Sequence, residues 1–351
     1  LYDIHTFPKY NKFELLKKGA PHMIKSIQSL RAIAAISVVL FHCGAKIAEI
    51  SPGVHYNLFH LFDSGVDLFY IISGFVIPLS IKSNSSDSAW RFLIHRFIRI
   101  VPLYWFTTSL FIGLLLFSPH IFQTYKFDFW HSIYSYLFLP QLRRPVISIG
   151  WTLVYLMYFY IVFALTLAIV GKSKVNWLIF VFVCSYLIGL YFPYYKRYPA
   201  FELITSELLL EFGMGLLFYF LYQKNIRINF TVAAGMIISG IFLCYLLQGM
   251  PRLYSYGMPM ALIFCGVVLS PKELLNVTLL QYMGNLSYSL YLVQVFTVPA
   301  CGILTKKLSF NPVGLSIPYF IFYLCVTVFA GMVLYILIER PATNYLRKCF
   351  Y

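Results

Sequence analysis

The chain has 351 residues, of which 60% are hydrophobic, 19% aromatic and 11% charged; its mean hydropathy is +0.76. Soluble domains carry roughly 25% charged residues, so these proportions exclude a soluble globule of this size, a disordered chain and a collagen-like fibre, and they leave an all-α, polytopic membrane protein. Lys and Arg number 27 against 12 Asp and Glu, a net charge of +15; the cations lie between apolar runs, which points to membrane orientation, lipid headgroups or an anionic substrate rather than nucleic acid.

The chain opens with a polar stretch, 1–22, read as an N-terminal extension, flexible or non-native, ahead of a start-like Met23-Ile24-Lys25-Ser26. The membrane domain then runs over 23–351. A spanning helix takes about 20 apolar residues, and about ten such runs follow: 27–47, 64–81, 101–118, 150–170, 175–192, 203–223, 228–247, 255–270, 279–301 and 313–338. Long unbroken runs favour helices over barrel strands, which would alternate in polarity. With the N-terminus placed inside, the inner segments carry the larger share of Lys and Arg, so both termini are expected in the cytoplasm. The first run contains Arg31 and His42 and lacks a clear cleavage site, so it is not read as a signal peptide. The seven cysteines are scattered without a CxxC pair, and neither a disulfide framework nor a metal site is expected.

Ionisable groups inside spans are costly and usually functional. Arg31 and His42 lie eleven residues apart, close to three turns, on one helix face and about 16 Å apart along the axis. That stripe suits a cavity with a cation at its inner end and an imidazole deeper in; it equally suits a snorkelling arginine and a histidine bonded to a carbonyl. In the second run, Asp67 and Gly74 share a face. Asp67 can orient or take a proton from His42, pair with a cation, or simply sit at a helix start, while Gly74 can serve close helix packing.

The segment from Trp90 to Ile100 places Arg91, His95, Arg96 and Arg99 on one half of a helical wheel and apolar residues on the other. It reads as a basic interfacial helix that grips phosphates through guanidinium forks or anchors anionic lipid. Trp151, Tyr155 and Tyr160 begin the fourth run, where an aromatic belt is the default reading. Glu207 and Glu211 stand one turn apart in the sixth. At the end of the last run, Glu339-Arg340-Pro341 reads as a salt bridge and a helix stop. No GxxxxGK[ST], HExxH, GxSxG or DxD occurs, which removes support from P-loop, zincin, serine-elbow and nucleotide-sugar transferase readings.

Seven blocks then occur in order: SLRAIAAISVVLFH (29–42), GVDLFYIISGFVI (65–77), RFIRIVPLYW (96–105), GWTLVYLMYFY (150–160), LLLEFGMG (208–215), GNLSYSLYLVQ (284–294) and LIERPA (337–342). With them the chain resembles the acyltransferase-3 family of integral membrane O-acyltransferases, particularly bacterial members that modify exopolysaccharides. The resemblance implies about ten spans in the bacterial inner membrane and a cytoplasmic acyl-CoA, most often acetyl-CoA. It also implies an extracytoplasmic or lipid-linked glycan acceptor, with oligomerisation left open. It makes His42 catalytic, as base or transient acyl acceptor, with Arg31 and Asp67 beside it. It implies that Arg96, Arg99, Ser73, Gly74 and Tyr104 serve the donor, and that Trp151, Tyr155, Tyr160, Glu211 and Tyr288 line the acceptor pocket, with Glu339 as a further family glutamate. Two positions depart from the family pattern: Leu156 stands where a glutamate is common, and Gln294 where a histidine is common. Leu156 keeps an inactive acyltransferase-like protein as an alternative, and a secondary transporter or lipid-linked sugar flippase is the rival from another class.

Overall fold

A computed structural model describes residues 20–50, 56–81, 87–118, 126–307 and 316–350. Residues 1–19 of the expected extension lie outside this range, and 20–22 are helical. In chain order the helices are α1 (Ala20–Ile50), α2 (Gly65–Leu79, entered through a 3-10 turn at Tyr56–Ser64), α3 (Asp87–Phe117), α4 (Phe129–Tyr136), α5 (Trp151–Val170), α6 (Trp177–Tyr191), α7 (Pro199–Ile204), α8 (Leu208–Gln223), α9 (Phe230–Leu246), α10 (Met258–Leu269), α11 (Thr278–Asn285), α12 (Ser287–Lys307), α13 (Ser316–Leu334) and α14 (Arg340–Phe350). The described residues contain no strand, as expected where each backbone group must find its partner within its own segment.

Seven helical stretches are long and apolar enough to cross a membrane, and the shorter apolar helices are Trp177–Tyr191, Phe230–Leu246 and Leu253–Leu269. Large apolar side chains such as Phe180, Ile238, Ile317 and Leu337 point outward, the arrangement a lipid solvent favours.

Three boundaries differ from the sequence expectation. The basic segment from Trp90 to Ile100 is not a separate interfacial helix: α3 runs unbroken from Asp87 to Phe117 with Pro102 inside it. Apolar residues on its inward face continue straight into the span, so nothing in the pattern forces a break. The ninth run does not start at 279, because α11 ends and α12 begins at Ser287. Glu339-Arg340-Pro341 does not stop the last helix. A π-helical turn at Tyr335–Glu339 absorbs the proline, and α14 carries on to Phe350; such turns relieve the steric demand that proline places on the preceding turn.

Helices α2 and α8 pack backbone to backbone, joined at two glycines. A Cβ on Gly74 would stand 2.1 Å from the Phe212 carbonyl oxygen, and one on Gly215 would stand 2.1 Å from the Ile71 carbonyl oxygen. Small residues permit this backbone approach, which lipid alone does not drive. Next to the crossing, Phe212 stacks on Phe159 at 4.1 Å and meets Tyr70 at 4.8 Å. The crossing locks α2, α5 and α8 together and sets Asp67 beside Glu211.

Gly74→Ala and Gly215→Ala are expected to destabilise the protein by about 1–3 kcal/mol each, since the clash is with backbone that no rotamer change relieves. Gly113→Ala is the control: nothing lies within 4 Å of its Cβ position, and the change should be neutral or stabilising by up to about 1 kcal/mol. Thermal unfolding of the purified variants in one detergent compares the three.

Candidate active site

Polar side chains gather at two levels of the bundle, and α1 connects them. At the Arg96 level, Arg31 on α1 donates to Gln28 Oε1 at 3.3 Å and to Ser287 Oγ at 3.1 Å. Arg99, Glu339, Tyr160 and Arg96 are the ionisable groups whose fields act on it. Arg96 on α3 donates to Ser80 Oγ at 2.9 Å, and its guanidinium lies over the rings of Phe92 at 5.3 Å and Tyr160 at 5.7 Å. Its buried Nε has no partner among the described residues. Glu339 is buried and accepts from the Ser289 hydroxyl. Tyr288 donates to the Ile100 carbonyl at 2.8 Å, which ties α12 to α3 beside the arginines.

Glu339 thus has Arg31 and Arg99 as charged neighbours, and Arg96 adds a third guanidinium to the level. Buried charge that is not matched is costly, and planar guanidiniums suit phosphate and carboxylate oxygens. The chemistry of this level suits an anion. Tyr160 lies beside Arg96 at this level, and Tyr288 bonds to the Ile100 carbonyl next to it.

The second level is built around Arg252, at the π-helical turn that leads into α10. Its Nε donates to Asp67 Oδ1 at 3.0 Å and its Nη2 to Asp67 Oδ2 at 2.7 Å. Its Nη1 donates to Asp63 Oδ2 at 2.8 Å. The guanidinium also lies 5.8 Å from the Trp151 ring and 5.4 Å from the Tyr256 ring. Asp67 is 0% exposed, so the bidentate pair is what makes its burial tolerable. Glu211, also 0% exposed, has Asp67 and Arg252 among its charged neighbours, and no hydrogen-bond donor among the described residues reaches either of its oxygens.

His42 stands at this second level. It is half-buried, edge-on to Phe41 at 5.1 Å, and the charges acting on it are Asp63 and Arg144. Among the described residues no hydrogen bond joins His42 to Asp67. Of the sequence alternatives for Asp67, pairing with a cation and a place in the first turn of a helix are both observed, and Asp63 is the carboxylate that bears on the imidazole. Nearby, Thr152 and Tyr291 share a hydroxyl contact of 2.7 Å, and Tyr70 donates to the Thr152 carbonyl at 3.2 Å.

The remaining positions fall out as follows. Ser73 donates back to the Phe69 carbonyl at 2.8 Å and Gly74 lies in the α2–α8 crossing, so both shape the helix pair. Tyr104 is buried against Phe138 at 4.7 Å, with its hydroxyl next to Gly150. Tyr155 packs edge-on to Trp151 at 6.0 Å. Leu156 packs against the main apolar core. Gln294 is buried and donates to the Tyr291 carbonyl at 2.9 Å, while its Oε1 has no partner among the described residues.

Sequence reasoning missed Arg252 and Asp63 as site residues. Asp63 precedes Asp67 by four positions, a spacing that puts both on one helical face. Arg252 follows Pro251 as the lone cation between two apolar runs and had counted only toward loop charge. Its partner Asp67 is 185 positions away, so the pairing has no local signature.

The profile of the acyltransferase-3 family, described as an acyltransferase domain, matches residues 24–336. The chain is 27% identical over 325 residues to the exopolysaccharide production protein ExoZ of Rhizobium meliloti (strain 1021), covering 86% of this chain and 94% of that protein. It is 22% identical over 291 residues to ORF330 of Acidianus two-tailed virus, which is named as an acetyltransferase, covering 79% of this chain and 84% of that one. No solved structure matches. Matched by the family's profile over most of its length, the chain belongs to the acyltransferase-3 family and is a multi-pass membrane acyltransferase.

Proposed function

We propose that the protein is an O-acetyltransferase that takes its acyl group from cytoplasmic acetyl-CoA and delivers it to a hydroxyl of a glycan, free or lipid-linked, on the far side of a bacterial inner membrane. The observation that carries this reading is the partition of α1: Arg31 faces the arginine level and His42 the carboxylate level, on one helix. The names of the relatives, an exopolysaccharide production protein and an acetyltransferase, support the acetyl group and the glycan.

Arg96, Arg99 and Arg31 suit the phosphates of a CoA, and the partnerless Arg96 Nε leaves a donor for one of their oxygens. The thioester supplies the activated acyl group. His42, whose ring no described hydrogen bond fixes, accepts the proton of the acceptor hydroxyl as that oxygen attacks the acyl carbon; the carbon–sulfur bond breaks and the thiolate leaves, taking up a proton. Alternatively His42 first carries the acyl group itself and then passes it to the hydroxyl. Asp63 favours the imidazolium that forms, and the bidentate Arg252–Asp67 pair holds Asp63 and α2 in place. Glu211, buried against Asp67, helps hold that pair in place.

His42→Ala should lower transfer of radiolabelled acetyl from acetyl-CoA to glycan by about 100-fold or more, with expression and detergent stability kept. Wild-type transfer by the folded variant rules out both forms of the mechanism. Arg96→Gln removes a charge-assisted contact worth about 1.5–3 kcal/mol, so it should raise the donor KM about 10- to 100-fold. Steady-state kinetics with acetyl-CoA varied at fixed acceptor reads this out, and an unchanged donor KM would remove Arg96 from the donor site.

A further inference from the structure

Outside the two polar levels, one surface is built with more care than a membrane-facing loop requires. It consists of α4 and the loop 137–147 that follows. Asp128 caps α4 by accepting from the His131 backbone N–H at 3.1 Å. Trp105 Nε1 donates to the Tyr136 carbonyl at 2.9 Å, and the Tyr136 hydroxyl meets Ser109 at 2.6 Å, so α3 holds α4 down. The buried Ser135 hydroxyl donates to the His131 carbonyl at 2.8 Å and accepts from Gln141 Nε2 at 3.2 Å and from the Val146 N–H at 3.0 Å. Phe138 has φ 54, and its ring is buried against Tyr104, which fixes the turn.

Between this platform and Pro199 lies an open cleft of about 370 Å³, lined by Trp130, His131, Tyr134, Gln141, Leu142 and Arg143. The Trp130 ring is 68% exposed. Just before Pro199, Arg197 lies between the rings of Tyr194 at 3.9 Å and Tyr198 at 4.9 Å. Rigid rings that offer area at low entropic cost, interleaved with donors and acceptors, suit a ligand with apolar faces and many hydroxyls. Arg143 adds a fork for a carboxylate or phosphate. The cleft is also connected to the second polar level, because the loop that lines it leads into Trp151, whose ring lies 5.8 Å from the Arg252 guanidinium.

We infer that this cleft is a saccharide subsite: Trp130 and Tyr134 stack on sugar rings of the acceptor chain, and Arg143 pairs with an acidic substituent, so that a nearby hydroxyl is presented to His42. The inference rests on the proposed glycan acceptor. The alternative occupant, an anionic lipid headgroup against an aromatic belt, is an outcome of the test.

The test uses the full chain in detergent. The probe is a set of oligosaccharides cut from the source organism's surface polysaccharide and base-treated to strip O-acyl groups. Binding is measured without acyl donor, alongside association with phosphatidylglycerol vesicles and transfer from radiolabelled acetyl-CoA. Trp130→Ala and Arg143→Gln should each weaken oligosaccharide binding at least about tenfold and raise the acceptor KM more than the donor KM, with vesicle association unchanged. Phe242→Ala, on the lipid-facing side of α9, should bind as wild type. Folded Trp130 and Arg143 variants that bind the probe like wild type, or that lose only vesicle association, overturn the subsite while wild-type transfer to the probe leaves the glycan reading standing. A wild type that neither binds the probe nor acylates it overturns that reading and the subsite together.

Discussion

Arg252 is the charge around which the second polar level is organised. A guanidinium between apolar helices must be compensated, and this one takes two carboxylates, Asp63 and Asp67, from the turn into α2 and its first turn. That single side chain therefore joins the α9–α10 connection to α2 at the level of His42. Neither aspartate is then free to act as an isolated base, yet Asp63 still places negative charge on the imidazole. The glycine crossing of α2 with α8 completes the arrangement by bringing Glu211 against the pair. Removing Arg252 would leave Asp67 buried, and the half-buried Asp63 beside it, without their cation, a far larger loss than the net worth of the ion pair.

The two levels have opposite electrostatic character, and α1 is the element common to both. Arginines outnumber carboxylates at one, carboxylates outnumber arginines at the other, and about 16 Å of helix separates Arg31 from His42. The proposed anionic, thiol-ended donor with a long arm fits that polarity: its charged end would stay among arginines while its acyl group would reach the histidine. A permeation path would require no such division, which is why the polar interior reads as a reaction chamber.

Much of the fold was legible because lipid makes hydrophobic length decisive: the apolar runs in the sequence are helices, and their order follows directly. What escaped was set by packing or distance. The α3 helix continues through Pro102, and the last helix passes Pro341 on a π turn, because neighbouring turns re-satisfy the backbone that proline frees. Gly74 was legible both as a pocket residue and as a packing glycine; its environment is the Phe212 carbonyl across the crossing, a partner no local pattern reveals. In the site, His42 and Arg31 were legible from three-turn spacing and cost of burial. Arg252 was not, because its role exists only through partners in another part of the chain. Tyr160 was grouped with Trp151 by nearness in sequence, although nine helical positions carry it down to Arg96.

The central claim is that the acyl group enters at the arginine level and leaves at the histidine level, across the membrane. Inverted inner-membrane vesicles, with the acceptor glycan enclosed and radiolabelled acetyl-CoA supplied only outside, test it most directly. The account predicts label on the enclosed glycan, and none when acetyl-CoA is confined to the lumen. Label acquired only from lumenal acetyl-CoA, or appearing only on glycan placed outside with the donor, would contradict it.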